Sequence, residues 1–341
     1  MYSWKFVQKC LLFTIVCVCV LFAYCSYTGD SYGSDEEYPT NFDYECIRNG
    51  SEEISHITHI CFEEPHVFFV ETSKSTILTP RQACAIESTA RHNPSLEVLV
   101  LMTGTDPIKF DDPLMKTLIT VPNIKIIQIN IEVLFHGSPL FDWYRAKKWE
   151  KSKWKASHLS DALRFFLVWK YGGMYLDTDI VTFQSMEHLK NVAITEDWNR
   201  VASGILIFDK GHDLLKNCMF DFAANYDPFD FVSNGPGVLT HNIKAFCDIN
   251  NIGKVSGANC NVDILPPEAA FPIPCGKWEE YFIPSFVKNV ADKFNSSYLI
   301  HVWNKFSKNL QLRIGTNSLY ELAVKQHCPI VYKYAEQLGY M

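Results

Sequence analysis

At 341 residues, with 48% hydrophobic and 20% charged side chains, the chain can bury a sizeable core, which excludes an intrinsically disordered protein and a small disulfide scaffold. A formal net charge of -7 excludes wholesale nucleic-acid binding through a basic surface, because phosphate contacts need clustered Lys and Arg. A polyanionic ligand would need a local device such as a bound metal.

In chain order, Phe6 to Tyr24 form a nearly continuous apolar run, with Lys5 and Lys9 at its start and Asp30, Asp35, Glu36 and Glu37 beyond it. About 20 residues at ~1.5 Å each cross a bilayer core of ~30 Å. Residues 1–5 therefore read as a cytoplasmic tail and 6–25 as an uncleaved transmembrane signal-anchor, with the remainder lumenal by the positive-inside tendency. A cleaved signal peptide is the rival reading, but Ala23-Tyr24-Cys25 is a poor small-x-small site. Residues 26–62, rich in Ser, Tyr, Asp, Glu and Gly without apolar periodicity, read as a stem. Residues 63–341 are left as one globular domain.

Beyond the anchor lie Cys46, Cys61, Cys84, Cys218, Cys247, Cys260, Cys275 and Cys328. No CxxC pair occurs among them, which argues against structural zinc, and an even number in a lumenal domain reads as disulfides. Cys247 with Cys260 is the most local candidate. The sequons at Asn49 and Asn295 fit a secretory route, whereas Asn93-Pro94-Ser95 is blocked by its proline.

From His66 onward apolar runs alternate with helical patterns. Val67–Val70, Glu97–Met102 and Ile124–Ile129 predict strands, with an amphipathic helix over Arg81–Arg91 between the first two. That rhythm predicts βαβ units and a mostly parallel sheet in an α/β domain. The informative stretch follows. Leu159, Ala162, Leu163, Phe166, Leu167 and Lys170 keep the spacing of a helix with one buried face, capped by Ser157 and stopped by Gly172-Gly173. Met174–Leu176 then predicts a strand, which puts Asp177-Thr178-Asp179 at its carboxyl end, where open α/β sheets place their ligands. Carboxylates one residue apart can converge on a divalent cation such as Mn²⁺ or Mg²⁺. Asp161 and Arg164, three apart on one helix face, can offer an acceptor and a donor to sugar hydroxyls. A lone D-x-D is a weak signal, and the Asp161–Arg164 pair alone could be a surface ion pair. The compact sequence of helix, double glycine, strand and paired acids is far more specific.

The block Ser160-Asp161-Ala-Leu-Arg164 … Tyr171-Gly-Gly-Met-Tyr-Leu-Asp177-Thr-Asp179 resembles the signature of the glycosyltransferase family containing Golgi α-1,4-galactosyltransferase and α-1,4-N-acetylglucosaminyltransferase. Phe69–Ser73, Glu87–Ala90, Asp142–Tyr144, Ser203-Gly204, Asn234–Pro236, Leu265–Ala269, Phe271–Pro274 and His301–Asn304 agree in order, so the likeness spans roughly Val67 to Pro329. It implies a GT-A fold, a UDP-sugar donor, Mn²⁺ (or Mg²⁺) and retention of anomeric configuration. Asp161, Arg164, Asp177 and Asp179 become the expected catalytic set. The donor is expected to meet Asp161, Arg164, Tyr175, Asp177, Asp179 and Asn304, and the metal to meet Asp177, Asp179 and His301. His301, in an expected strand over Tyr298–Trp303, has a second reading as a core histidine beside Trp303. Ser203, Gly204, Asn234 and Gly235 match segments near the acceptor, although relatives carry Asn in place of Ser203 and Gln in place of Asn234. Cys46, Cys61 and Cys275 look like additions to the mammalian pattern, which leaves room for a further disulfide.

The resemblance implies transfer of galactose or N-acetylgalactosamine from UDP-Gal or UDP-GalNAc to the 4-hydroxyl of a terminal sugar on a glycosphingolipid. The enzyme would be a single-pass type II Golgi membrane protein, alone, as a homo-oligomer, or in a complex with other Golgi enzymes. No carboxylate outside the metal and sugar set stands out as a nucleophile, which favours same-face attack. Three other classes compete: an α-1,4-N-acetylglucosaminyltransferase acting on O-glycans, a non-catalytic sugar-binding or chaperone-like relative, and a metal-dependent hydrolase. The hydrolase would want more closely spaced His and Asp ligands.

Overall fold

A computed structural model describes residues 66–197, 199–252, 260–284 and 294–341. The expected tail, anchor and stem, together with Asn49, Cys46 and Cys61, lie outside the described residues. Among those described, no helix is long and apolar enough to cross a membrane.

The chain opens with β1 (His66–Glu71), α1 (Pro80–His92), β2 (Glu97–Met102) and β3 (Ile124–Gln128). β1 and β2 read as apolar runs because both of their faces are covered, as in parallel sheets. Helix α1 starts where Thr79 accepts a hydrogen bond from the Gln82 N–H while the Gln82 side chain accepts one from the Thr79 N–H, with Pro80 in the first turn. Then follow α2 (Lys155–Tyr171), β4 (Gly173–Leu176), β5 (Ile180–Thr182), β6 (Val192–Asp197), β7 (Arg200–Phe208), α3 (Asp213–Asn225) and α4 (Val238–Phe246). After β8 (Asp263–Leu265) and β9 (Leu299–His301), the chain ends in α5 (Asn304–Ser307), α6 (Leu319–His327) and α7 (Pro329–Leu338).

The seven-stranded sheet runs β3-β2-β1-β4-β7-β6-β8, and β5 pairs with β9 in a separate two-stranded sheet. β1 is parallel to β2 and β4, β2 to β3, and β6 to β8, while β7 runs antiparallel to β4 and β6. The expected α/β domain with a mostly parallel sheet is therefore present. One hydrophobic cluster fills each side of the sheet: α1, α6 and α7 cover one face, α2, α3 and α4 the other.

Helix α2 differs from its expected form. It begins at Lys155, with Trp154 as a cap residue that makes no side-chain cap bond, so Ser157 sits inside the helix. It is also buried almost all round from His158 to Val168, not along one stripe, because α3 and the strands β1, β4 and β7 enclose it. Gly172 and Gly173 end it with φ of +73° and +91°. A Cβ on Gly173 would strike the His66 backbone, so the double glycine lets β4 enter the sheet directly beside β1.

Cys247 and Cys260 form a disulfide as expected, and Cys84 forms another with Cys328, 244 residues away. Cys218 and Cys275 are free thiols, so the general reading of these cysteines as disulfides does not extend to this pair. Cys218 points into the core on α3, where it packs as a small hydrophobic group.

Candidate functional site

The site lies where β4 leaves the main sheet. The Asp177 N–H still bonds the Gly204 carbonyl at 2.9 Å, and the chain then crosses through Asp179 into β5. β5 pairs antiparallel with β9, with Ile180 opposite His301, and the Val302 N–H bonds the Asp179 carbonyl. That pairing carries His301 across more than a hundred residues of sequence to the acidic pair. His301 Nε2 lies 3.1 Å from Asp179 Oδ1 and 3.8 Å from Asp177 Oδ2. The His301 ring packs against Phe271 and Trp303, as a core histidine would, while its Nε2 faces the carboxylates.

Asp177, Asp179 and His301 each present a ligand atom within 4.8 Å of the others. Beside them the Asn304 Oδ1 is buried with no hydrogen-bond partner, while the Asn304 N–H bonds Asp179 Oδ2 at 2.7 Å. Two carboxylates and an imidazole form a mostly oxygen donor set, which suits Mn²⁺ or Mg²⁺. Burial works against charging the His301 ring, but Asp179 and Asp177 outweigh it and raise its pKa well above the usual value. A bare acidic pair thus attracts positive charge, either a proton or a cation.

Trp303 turns the chain from β9 into α5 with φ of +57°, a left-handed conformation rare for a bulky residue and costing on the order of 1–3 kcal/mol. The surroundings hold it there. Its indole N–H bonds the Ile273 carbonyl at 3.2 Å, and its carbonyl accepts the Ser307 N–H at 3.0 Å. The turn delivers the Asn304 N–H to Asp179.

On the other flank, α2 supplies Asp161 and Arg164, both about 95% buried. Arg164 is a hub. Its Nη2 lies 3.2 Å from Asp161 Oδ1 and 3.2 Å from Asp177 Oδ1, its Nη1 donates to Ser203 Oγ at 2.8 Å, and its plane covers the Tyr175 ring. The Tyr175 hydroxyl donates to Asp177 Oδ1 at 2.7 Å. Burial resists ionisation of Asp177, but Arg164, His301 and Tyr175 outweigh it and hold its carboxyl well below the usual range. Asp161 is lifted to about 6, because burial there exceeds the pull of Arg164.

Ser203, Gly204 and Gly235 stand against this flank. A Cβ on Gly204 would collide with the Asp177 carboxylate, and one on Gly235 with Asp161 and Ser203. The Asn234 amide is committed elsewhere, donating to the Asp227 carbonyl at 2.7 Å while its oxygen accepts the Asp227 N–H at 3.0 Å. Asn234 therefore shapes the 227–233 loop, and its side chain does not line the cavity. Asn295 is exposed in a turn away from the cavity.

All these groups except Asn234, Gly235 and Asn295 border one cavity of about 540 Å³, within the usual range for a ligand pocket. Glu71 shapes its floor by accepting hydrogen bonds from the Ser73 and Ser75 N–H groups. The cavity also contains Glu196, at the carboxyl end of β6, with Arg200 and Lys305. Sequence reasoning singled out no carboxylate beyond the metal and sugar set and did not name Glu196. The signal was its position after the apolar run Val192–Ile194, at a strand end.

Comparison with known proteins agrees with this geometry. Residues 79–198 match the model of the glycosyltransferase sugar-binding region containing the DXD motif, and residues 207–335 that of the α-1,4-glycosyltransferase conserved region. The chain is 33% identical over 271 residues to lactosylceramide 4-alpha-galactosyltransferase of Gorilla gorilla gorilla, covering 79% of this chain and 83% of that one. Against alpha-1,4-N-acetylglucosaminyltransferase of Homo sapiens the identity is 28% over 274 residues, covering 78% and 79%. A solved PaToxG glycosyltransferase overlaps 53% of this chain and 68% of its own at 17% identity and a TM-score of 0.44, too remote for any residue correspondence. With a D-x-D pair, a histidine and a buried Asp–Arg couple gathered in one cavity, and relatives at this identity over most of its length, the chain belongs to the α-1,4-glycosyltransferase family and is a hexosyltransferase.

Proposed function

We propose that this GT-A-type enzyme transfers galactose or N-acetylgalactosamine from its UDP conjugate to the 4-hydroxyl of a terminal sugar on a glycosphingolipid, forming an α-1,4 linkage in the Golgi membrane. The observation that carries the reading is the convergence of Asp177, Asp179 and His301 beside the Asp161–Arg164 couple in one cavity. The relatives named above supply the linkage and the acceptor class.

Asp177, Asp179 and His301 would hold Mn²⁺ or Mg²⁺, which when bound neutralises the diphosphate and the charge on departing UDP. Asp161 offers a buried carboxylate to the hydroxyls of the donor sugar. Arg164 fixes Asp161 and Asp177 at once and adds a positive field at the bond that breaks, where preorganised charge counts most. Retention follows from attack on the face the nucleotide leaves, with a leaving phosphate oxygen taking the acceptor proton.

The test is UDP release by the full-length chain in detergent, with UDP-Gal, UDP-GalNAc and UDP-GlcNAc against neutral glycosphingolipids and O-glycan acceptors. Preference for UDP-GlcNAc and an O-glycan would instead favour the second named relative's activity. Asp179→Asn should lower turnover by about 10²–10³-fold, the size seen when one electrostatic group is lost. Full turnover of that variant at saturating Mn²⁺ would refute the metal assignment.

A further inference from the structure

The cavity has a second polar wall that the donor machinery does not use. Glu196 is the penultimate residue of β6, and its side chain is 18% exposed. Among the described residues it makes no hydrogen bond; Arg200 Nη1 approaches only to 3.9 Å. Burial raises the pKa of its carboxyl, with Arg200 the chief opposing charge. A half-buried carboxylate with unfilled lone pairs has lost part of its hydration and gained little in return, so it is set to accept hydrogen bonds from a ligand.

Two cations flank it. Arg200 begins β7, and Lys305, from α5, places its Nζ 3.6 Å from the centre of the Phe231 ring. That contact ties the C-terminal segment to the 227–233 loop and fixes the ammonium at the cavity wall. Glu196 lies outside the group that converges on the metal position. Its lone pairs are therefore open to donors such as the hydroxyls of an uncharged reactant.

We propose that Glu196, with Arg200 and Lys305 beside it, is the hydroxyl-reading wall of the acceptor subsite and selects a neutral terminal sugar. This deepens the glycosyltransferase reading above and rests on it. Ser203, Gly204 and Gly235 then support the donor side, and the acceptor is read from Glu196 on β6, Arg200 on β7 and Lys305 on α5.

The test compares wild type, Glu196→Gln and Glu196→Asp as full-length chains in detergent, with UDP-Gal and the panel acceptor that wild type turns over fastest. Glu196→Gln is expected to raise the acceptor KM about 10-fold or more, the loss expected for hydrogen bonds to a charged group. The donor KM and the UDP-dependent rise in Tm should stay at wild-type values, and Glu196→Asp should recover part of the loss. An acceptor KM unchanged in Glu196→Gln, or a donor KM rising with it, overturns the assignment while leaving the enzyme reading intact. If wild type releases no UDP with any donor or acceptor, the enzyme reading falls and this one falls with it.

Discussion

Arg164 shows how much one side chain decides here. It touches Asp161, Asp177, Ser160 and Ser203 together, which a planar guanidinium can do and a lysine ammonium cannot. Arg164→Lys should keep the charge yet let both carboxylates drift, lowering turnover by about 10²-fold, the penalty for misplacement near 1 Å. Steady-state kinetics would check this, and wild-type turnover would show that charge alone suffices. Gly204 has the opposite character, because it matters through what it lacks. Gly204→Ala would push a methyl group into the Asp177 carboxylate, at a cost of about 1–3 kcal/mol. The expected result is lost turnover with a weakened Mn²⁺-dependent UDP shift in Tm; normal UDP binding would mean that the loop simply moves aside.

At the level of elements, the C-terminal segment is tied to the site from behind. The buried Glu87 on α1 accepts the Ile330 and Val331 N–H groups at 3.0 and 2.9 Å, capping the exposed amides of α7. One turn earlier, Cys84 is bonded to Cys328. Arg81, on the same helix, donates to the Ser307 carbonyl at 2.9 Å and so holds the end of α5. Glu87→Ala should cost about 1–3 kcal/mol of stability, read as a lower urea midpoint, while turnover per folded molecule is kept. An unchanged midpoint would show that other contacts cap α7. Sequence reading found Glu87 only as part of a familiar segment, since a helix cap from 243 residues away leaves no local pattern.

Across the whole molecule, the same face carries a pH-sensitive joint. His92 Nε2 and His327 Nδ1 are 2.9 Å apart, linking the ends of α1 and α6. Burial, followed by the nearby His92 and Arg91, lowers the pKa of His327 to about 4, and burial lowers that of His92 as well. The folded chain therefore keeps these rings neutral where the unfolded chain, near 6.5, takes up protons. Stability is full above about pH 6.5 and falls as pH drops toward 4. His327→Gln should flatten the wild-type loss of urea midpoint between those values; parallel curves for the two proteins would exclude the pair as the cause.

The strands, the helix over α1, the double-glycine stop and the local Cys247–Cys260 bridge were legible in the sequence, because each depends on neighbours a few residues apart. The D-x-D pair and the Asp161–Arg164 couple were legible too, as spacing on a strand end and a helix face. Helix α2 misled by its pattern: enclosure by α3 and the sheet overrode the single apolar stripe. What brings His301 to Asp179, Cys328 to Cys84 and Glu196 into the same cavity as the acidic pair is strand pairing and packing between distant segments. Such contacts are set by which surfaces exclude water together, and no local spacing records them.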